Sequence, residues 1–285
     1  MSKLKIVIDS AGDLPADWLS EYDIHMIPIN IHFGEQTFLQ GVNLSNAEFY
    51  RLADESGVIP KTSQPTPGQF IEIYHKVADK GDTILSIHLT SKLSGTFASA
   101  EIAARDLKDV YRVIPFDSGC GSAGMGYMVR EARLMERAGA KIDAILARLE
   151  EIRRGMQIIL TIKSFEYARR SGRVKALQAA LASMLNVKPV IMLREGVLEV
   201  GDRVRTRGKA LEYLVEEMKR RMGDRLVNVA VVHAEDLEAA NLLIEKVRRV
   251  LNIRQLITTD LSIGIAANLG PGTVGVVAYP VEEIG

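Results

Sequence analysis

The sequence predicts an α/β fold with two domains, and three observations indicate it. Short apolar, β-branched runs alternate with amphipathic segments of helical length along the whole chain. The 285 residues are 47% hydrophobic and 25% charged, which is typical of a chain that buries a packed core. A hairpin pattern occurs in the second half of the chain, where it interrupts the alternation. We therefore expect a parallel sheet first and a mixed sheet second.

The first half of the chain alternates between strand and helix patterns. We predict strands over residues 5–9, 24–33, 83–89 and 112–116, and helices over residues 45–55, 68–80, 94–107 and 125–138. Ser45 and Glu48 have the spacing of a capping box, which places the start of the first of these helices. Because such alternation builds parallel sheets with helices on both faces, we predict an N-terminal α/β/α domain over residues 1–155.

The second half contains the hairpin. We predict helices over residues 142–154, 174–184, 210–222 and 237–251, and strands over residues 157–162, 188–193, 197–203, 227–233, 255–260 and 274–279. Residues 194–196, Arg-Glu-Gly, join two of these strands with the chemistry of a hairpin turn. A hairpin among helices predicts a mixed-sheet α/β domain, which we assign to residues 156–285.

The charge balance of the sequence argues against several classes of partner. Thirty-six Lys and Arg residues balance thirty-six Asp and Glu residues, whereas nucleic acids and anionic membranes favour a positive excess. No stretch approaches the roughly 18 apolar residues of a membrane span, and the apolar run at the N-terminus is too short for a signal peptide. We expect a cytoplasmic protein with no stable membrane insertion, no nucleic-acid partner and a reduced, space-filling Cys120.

Common catalytic and cofactor motifs are weak or absent in the sequence. The five histidines have no metal-ligand spacing, and we interpret them as hydrogen-bonded core or edge residues, with His25 and His32 in a strand and His88 at the end of one. Residues 119–124 and 270–275 both match G-x-G-x-x-G. The second match is too near the C-terminal end for a βαβ unit, and the first has no suitable acidic residue downstream. We therefore expect neither a metal nor a cofactor.

Three clusters of hydroxyl, amide and glycine residues remain, at residues 61–68, 90–96 and 268–273. Ser94, Gly95 and Thr96 are predicted to begin a helix, where free N–H groups and the helix dipole favour an anion. Thr62 or Ser63 could supply a further neutral donor. Such a site suits a single carboxylate better than a polyphosphate, which requires more Arg and Lys. The alternative interpretation is that the clusters are ordinary caps and turns.

Nine short segments in a fixed order form a more specific pattern than any one of them alone. They are IVIDSAGDLP at 6–15, IPINIHFG at 27–34, KTSQPTPGQF at 61–70, LTSKLSGTFASA at 89–100, FDSG at 116–119, RRSGRV at 169–174, LNVKPVI at 185–191, VRTRGKAL at 204–211 and LGPGTVGV at 269–276. In these segments, over nearly its whole length, the chain resembles the DegV family of bacterial fatty-acid-binding proteins.

This resemblance implies a fold, a ligand and a partner. Family members are two-domain α/β proteins that hold one long-chain fatty acid between the domains and present its carboxylate to a fatty acid kinase, which forms acyl phosphate from ATP. The resemblance assigns the carboxylate to Thr62 and Ser94, with Gly95 beside Ser94. The protein itself would be a carrier without ATP or another cofactor.

The resemblance extends to further residues and has one departure. It adds Arg173 and Arg205 as pocket or kinase contacts, and Ser63 and Thr96, in the same two segments as Thr62 and Ser94, are further candidate pocket or partner contacts. Asn268 stands where the family pattern has a histidine at the head group. Asparagine donates a hydrogen bond but cannot become cationic, so the departure bears on carboxylate binding and not on the fold.

Two other functions remain as alternatives to the fatty-acid carrier. In the first, Ser94 is the nucleophile of an acyl-transfer or lipid-hydrolysing enzyme, which requires a base within hydrogen-bond reach. In the second, the glycine-rich segment at residues 119–124 binds a nucleotide and the protein is a regulator.

Overall fold

The computed structural model describes residues 3–172 and 187–282 of the chain. The chain divides into two compact units, Met1–Arg153 and Arg154–Gly285, which we call the N-terminal and the C-terminal unit. The helix predicted over residues 174–184 lies outside the described residues, and so does Arg173.

The N-terminal unit contains a parallel sheet and a small antiparallel one. Its strands are β1 (Leu4–Asp9), β2 (Ile24–Ile27), β3 (Asn30–Phe33), β4 (Gln36–Leu39), β5 (Lys61–Ser63), β6 (Thr83–His88) and β7 (Arg112–Asp117). Its helices are α1 (Ala16–Glu21), α2 (Asn46–Ser56), α3 (Pro67–Val77), α4 (Thr96–Asp106) and α5 (Ala123–Arg137), and α6 (Ile142–Gly155) crosses the division between the units.

The parallel sheet has the strand order β2-β1-β6-β7. α3 and α4 pack on one face of this sheet around Val7, Tyr74 and Ile84. α1 and α5 contact β2 and β1 respectively, and the rings of Trp18 in α1 and Tyr127 in α5 pack together. The chain goes from β1 to β2 on one side and later returns to β6 on the other side of β1. The carboxyl ends of β1 and β6 are therefore the point where the strand order reverses, which is where ligands bind in open α/β sheets.

The single strand predicted over residues 24–33 is wrong. β2 pairs with β1 in the parallel sheet, whereas β3 lies between β4 and β5 in a separate three-stranded antiparallel sheet. Pro28 lies at the break, because proline has no N–H to donate to a ladder. Residues 61–63, which begin the first polar cluster and for which we predicted no strand, form the edge strand β5.

The C-terminal unit contains the predicted mixed sheet. Its elements are β8 (Gln157–Thr161), α7 (Glu166–Arg170), β9 (Lys188–Arg194), β10 (Val197–Val204), α8 (Arg207–Met222), β11 (Leu226–His233), α9 (Leu237–Val250), β12 (Asn252–Asp260), α10 (Ile263–Leu269) and β13 (Val274–Pro280). The strand order is β10-β9-β8-β13-β11-β12, and only the β11–β12 pairing is parallel among these described strands. The core lies between this sheet and the helices α8 and α9.

Two predictions that depend only on neighbouring residues, the capping box and the hairpin turn, are confirmed. Ser45 caps α2, and both hydrogen bonds of the capping box to Glu48 form. The hairpin turn places Glu195 at φ 48° and Gly196 at φ 80°, as a two-residue type I′ turn requires. Within residues 3–172 and 187–282, no helix is both long and apolar enough to cross a membrane.

Replacing Gly126 by alanine is expected to destabilise the protein, because the new Cβ in α5 would collide with the backbone carbonyl oxygen of Asp13. We expect the free energy of unfolding to fall by about 1–3 kcal/mol, as for other overpacked cores. Gly208→Ala in α8 is the matched control, since its Cβ would meet no atom within 4 Å. Urea denaturation measures both, and a Gly126→Ala variant as stable as the wild type would contradict this packing.

Candidate functional site

Two of the three polar clusters meet in the N-terminal unit. Gly95, the residue before α4, lies directly against the side chain of Gln64, which follows β5. A Cβ at position 95 would lie 2.7 Å from Gln64 Cδ, so any larger residue displaces that side chain. The absence of a side chain at Gly95 therefore lets the two segments that carry Thr62 and Ser94 approach each other.

The segment around Thr62 is held by pairing with β3. Thr62 is in register with Ile31, and neighbouring Ser63 is hydrogen-bonded through Oγ to His32 Nε2 at 2.9 Å. Asn30 Nδ2 donates to Ser63 Oγ at 3.4 Å and to the Gln64 carbonyl at 3.0 Å. Successive side chains of a strand point to opposite faces, so Thr62 is directed away from this cluster. Ser63 thus serves the small sheet, and Thr62, which is half-buried, stands on the other face.

Ser94 and Thr96 form a hydroxyl pair at the start of α4. Ser94 Oγ lies 2.8 Å from Thr96 Oγ1 and also accepts the Thr96 N–H at 3.3 Å. Thr96 is fully buried, while Ser94 is half-buried. The helix begins at Thr96 with Gly95 as its N-cap, so the prediction that Ser94 lies within the helix is wrong by two residues. The reason is local: the Ser94 hydroxyl bonds back to the first turn from outside it.

The loop that carries Ser94 is fixed to its neighbours by backbone bonds. The Thr90 N–H donates to the Cys120 carbonyl at 2.9 Å, and the Ser94 N–H donates to the Thr90 carbonyl at 3.3 Å. The Ser91 N–H points at the Asp117 carboxylate, with both oxygens at 3.3 Å. The loop therefore has an ordered backbone anchored at the ends of β6 and β7.

A buried chain of polar side chains lies beneath this loop, and sequence reasoning missed it. Tyr74 Oη donates to Ser86 Oγ at 2.8 Å, Ser86 Oγ lies 2.6 Å from His88 Nε2, and His88 Nδ1 lies 3.1 Å from Asp9 Oδ2. All four residues are 0% exposed. Burial raises the pKa of Tyr74, although its bond to Ser86 acts in the opposite direction. The alternation of Ser86 and His88 along one strand was the available signal.

This chain has the residue types of a Ser-His-Asp triad but not the access that a nucleophile requires. Ser86 is closed off from solvent and accepts a hydrogen bond from Tyr74. The prediction that His88 is a hydrogen-bonded strand residue is confirmed. The Ser86 hydroxyl is therefore out of reach of a substrate in this structure.

The remaining predicted site residues belong to the C-terminal unit. Asn268 lies in the last turn of α10, where its Nδ2 donates to the Gly264 carbonyl at 2.9 Å and retains a second hydrogen. Arg205 is exposed immediately before α8. Arg173 lies outside the described residues. The assignment of a lipid pocket to the region between the two domains stays a prediction.

The two glycine-rich segments serve the packing of their own units. Cys120 is buried, as predicted, and burial raises the pKa of its thiol to about 12. Ser122 has φ 56° and its hydroxyl donates to Asp13, immediately before α5. In the other segment, Thr273 Oγ1 donates to the Gly270 carbonyl at 2.7 Å. Among the described residues, no group of three or more His, Cys, Asp and Glu side chains is placed to hold a metal ion.

The contact between Gly95 and Gln64 can be tested by a double-mutant cycle. Gly95→Ala should destabilise the wild-type protein more than it destabilises the Gln64→Ala variant, in which the colliding amide is gone. We expect a coupling free energy of about 0.5–1 kcal/mol by urea denaturation, which is typical of side chains in direct contact. The exposed Ser91→Ala change should combine additively with Gly95→Ala. Additivity in both cycles would contradict the contact.

Comparisons with known proteins agree with this fold. The family model described as "Uncharacterised protein, DegV family" matches residues 3–281. A DegV domain-containing protein of Caldanaerobacter subterraneus is 33% identical over 277 residues, which are 97% of this chain and 98% of that protein.

Two solved structures are similar over almost the whole chain. One, described as showing fatty acid binding of a DegV family protein from Thermus thermophilus, is 30% identical with a TM-score of 0.90 and covers 98% of this chain and 100% of that one. The other, DegV of Bacillus subtilis, described as a fatty acid binding protein, is 27% identical with a TM-score of 0.86 and covers 99% and 100%. The two-domain α/β fold predicted from the sequence is confirmed, and the chain belongs to the DegV family.

Proposed function

We propose that this protein binds one long-chain fatty acid, holds its carboxylate on Thr62 and Ser94, and presents it to a fatty acid kinase for acyl phosphate formation. The observation that carries the proposal is the contact of Gly95 with Gln64, which brings the Thr62 and Ser94 segments together. The two similar structures described as fatty-acid-binding support the same ligand class. The protein is then a cytoplasmic carrier, and the fatty acid is its ligand rather than a cofactor.

The chemistry of the two segments suits a carboxylate with a long apolar tail. Hydroxyl groups and the N–H groups at the start of α4 are neutral donors that orient an anion. The tail supplies most of the affinity, because burying about 15 methylenes contributes on the order of 10 kcal/mol before ordering costs. The head group therefore needs orientation more than additional binding energy, and two hydroxyls beside a helix N-terminus provide it.

The kinase contact is assigned to basic residues, of which Arg205 is exposed beside the start of α8. Arg173 is assigned with it by the family resemblance alone. An acyl-enzyme mechanism at Ser94 is less well supported, because the hydroxyl partner of Ser94 is Thr96, and a threonine hydroxyl is not a general base.

Removing either proposed carboxylate donor should weaken fatty-acid binding in a folded protein. Ser94→Ala and Thr62→Val each delete one hydroxyl, and we expect palmitate affinity to fall about 10- to 150-fold, as for hydrogen bonds to a charged group. Calorimetric titration of lipid-stripped protein measures the affinity, and circular dichroism checks the fold. Ser91→Ala is the matched control, since Ser91 is an exposed serine of the same loop.

A measurement on the wild-type protein as purified from cells distinguishes the fatty-acid carrier from the enzyme and the nucleotide-binding regulator. Mass spectrometry under native conditions should detect a co-purified C14–C18 fatty acid that is lost on denaturation. An acyl adduct on Ser94 that survives denaturation would support the enzyme, and tight binding of ADP or NAD without a lipid would support the nucleotide regulator. Unchanged palmitate affinity in both hydroxyl variants would overturn the Thr62 and Ser94 assignment.

Asn268→His should tighten fatty-acid binding in a pH-dependent manner. An imidazole with an ordinary pKa of about 6.5 is cationic at pH 6 and neutral at pH 8, so its attraction for a carboxylate is present at the lower pH and lost as the pH rises. We expect up to about tenfold tighter palmitate binding than wild type at pH 6 and a smaller gain at pH 8, with Asn268→Ala as the neutral control. No change at either pH would place position 268 outside the head-group network.

A further inference from the structure

We propose that Asp9 is a positioning residue for the head-group loop: its buried carboxylate, oriented by His88, tethers Leu89 and thereby holds Ser94 in place. This inference rests on the proposed function. It adds to that function a role for the buried side chains of Tyr74, Ser86, His88 and Asp9, which are not themselves part of the proposed carboxylate site.

The buried hydrogen-bonded side chains give the protein no more stability than an apolar core would, so their presence calls for another explanation. Tyr74, Ser86, His88 and Asp9 are all fully buried, and the rings of His88 and Phe70 pack edge to face with their centroids 5.0 Å apart. Burying polar groups costs free energy that their hydrogen bonds only offset, so well-packed apolar residues of similar volume would serve stability equally well. A directional network, in contrast, specifies one arrangement of the atoms that it joins.

The hydrogen bonds of this chain run in one direction. Tyr74 donates to Ser86, and the Asp9 carboxylate, which has no proton to give, accepts from the Nδ1–H of His88. We assign the Ser86 O–H as the donor to His88 Nε2, 2.6 Å away, so that the ring carries its proton on Nδ1. The whole chain therefore ends on the carboxylate of Asp9 and orients it.

Asp9 uses its carboxylate to join two loops. Its Oδ2 accepts the Leu89 N–H at 2.8 Å in addition to His88 Nδ1, and its Oδ1 accepts the Ala11 N–H at 3.0 Å. Leu89 is the first residue after β6, five residues before Ser94, and Ala11 follows β1. These are the two strand ends at which the strand order reverses, so the carboxylate fixes the edge of the sheet from which the Ser94 loop departs.

The same network of buried side chains is also connected to the segment that carries Thr62, the second proposed carboxylate donor. Tyr74 and Phe70 belong to α3, which begins at Pro67 directly after the segment of Thr62. Both hydroxyl-bearing segments are therefore connected, through α3 and through β6, to the same buried network. Such supporting bonds are what keeps a binding constellation within the narrow tolerance that its ligand requires.

The test compares Asp9→Ala and Asp9→Asn with the core variant Leu149→Ala. Leu149 is a fully buried residue of α6 in the same unit and lies outside the core cluster that contains Tyr74 and Phe70, so its truncation lowers stability away from the network. We expect palmitate affinity to fall at least tenfold in Asp9→Ala and by a smaller factor in Asp9→Asn, which keeps one acceptor oxygen. Leu149→Ala should bind palmitate as the wild type does, although it unfolds at lower urea concentration.

A spectroscopic readout separates positioning from mere stability. The ¹⁵N shifts of the His88 ring should show the Nδ1–H tautomer in the ligand-free wild type and a shift towards Nε2–H in Asp9→Ala, where Nδ1 has lost its acceptor. Amide exchange at Leu89 should be slow in the wild type and faster in Asp9→Ala. A wild-type Nε2–H tautomer, or a rapidly exchanging Leu89 amide, would overturn the tether without any variant.

The affinity results distinguish this inference from the proposed function. If the wild type binds palmitate and a folded Asp9→Ala binds it equally well, the positioning role is overturned while the carrier function stands. If Asp9→Ala does not fold, Asp9→Asn decides, and an affinity within twofold of the wild type overturns the role. If the wild type itself binds no fatty acid, the proposed function fails first.

Discussion

The carboxylate of Asp9 accepts three N–H donors at the point where the parallel sheet reverses its strand order. Two of these donors are backbone amides of the loops that leave β1 and β6, and the third is His88 of β6 itself. A buried carboxylate is tolerated only when its acceptor positions are filled, so each donor constrains the others. The conformation of the Ser94 loop depends on this constraint, since the loop begins at Leu89.

The proposed carboxylate site depends on a close approach as well as on hydrogen bonds. Gly95 gives the N-terminus of α4 the space to meet Gln64, and Ser94 and Thr96 on either side of it carry the paired hydroxyls. The three-stranded sheet holds the segment that carries Thr62, because His32 and Asn30 of β3 are hydrogen-bonded to neighbouring Ser63. Two elements that are distant in sequence thus place their hydroxyl-bearing segments side by side by different means.

The fold was predictable from the sequence where its signals are local, and the site only in part. The capping box of Ser45 and the turn at Gly196 depend on neighbouring residues, so the pattern alone indicates them. The break at Pro28 was readable in principle, but the alternation of apolar residues continues through it. The pairing of β5 with β3 and the bond of His88 to Asp9, 79 residues away, are tertiary contacts that no local pattern encodes.

The neutral hydroxyl donors that we propose for the carboxylate, Thr62 and Ser94, suit a ligand that is passed on to a partner. A cationic clamp on the carboxylate would strengthen binding, but it would hold the same oxygen atoms that the kinase of the proposed function would phosphorylate. Hydroxyl donors and a helix N-terminus can orient those oxygens, and releasing the carboxylate from them costs less electrostatic free energy than releasing it from a cationic side chain. In the proposed function, orientation has to come from the protein scaffold rather than from charge, and the network ending on Asp9 is the part of the scaffold to which we assign that role.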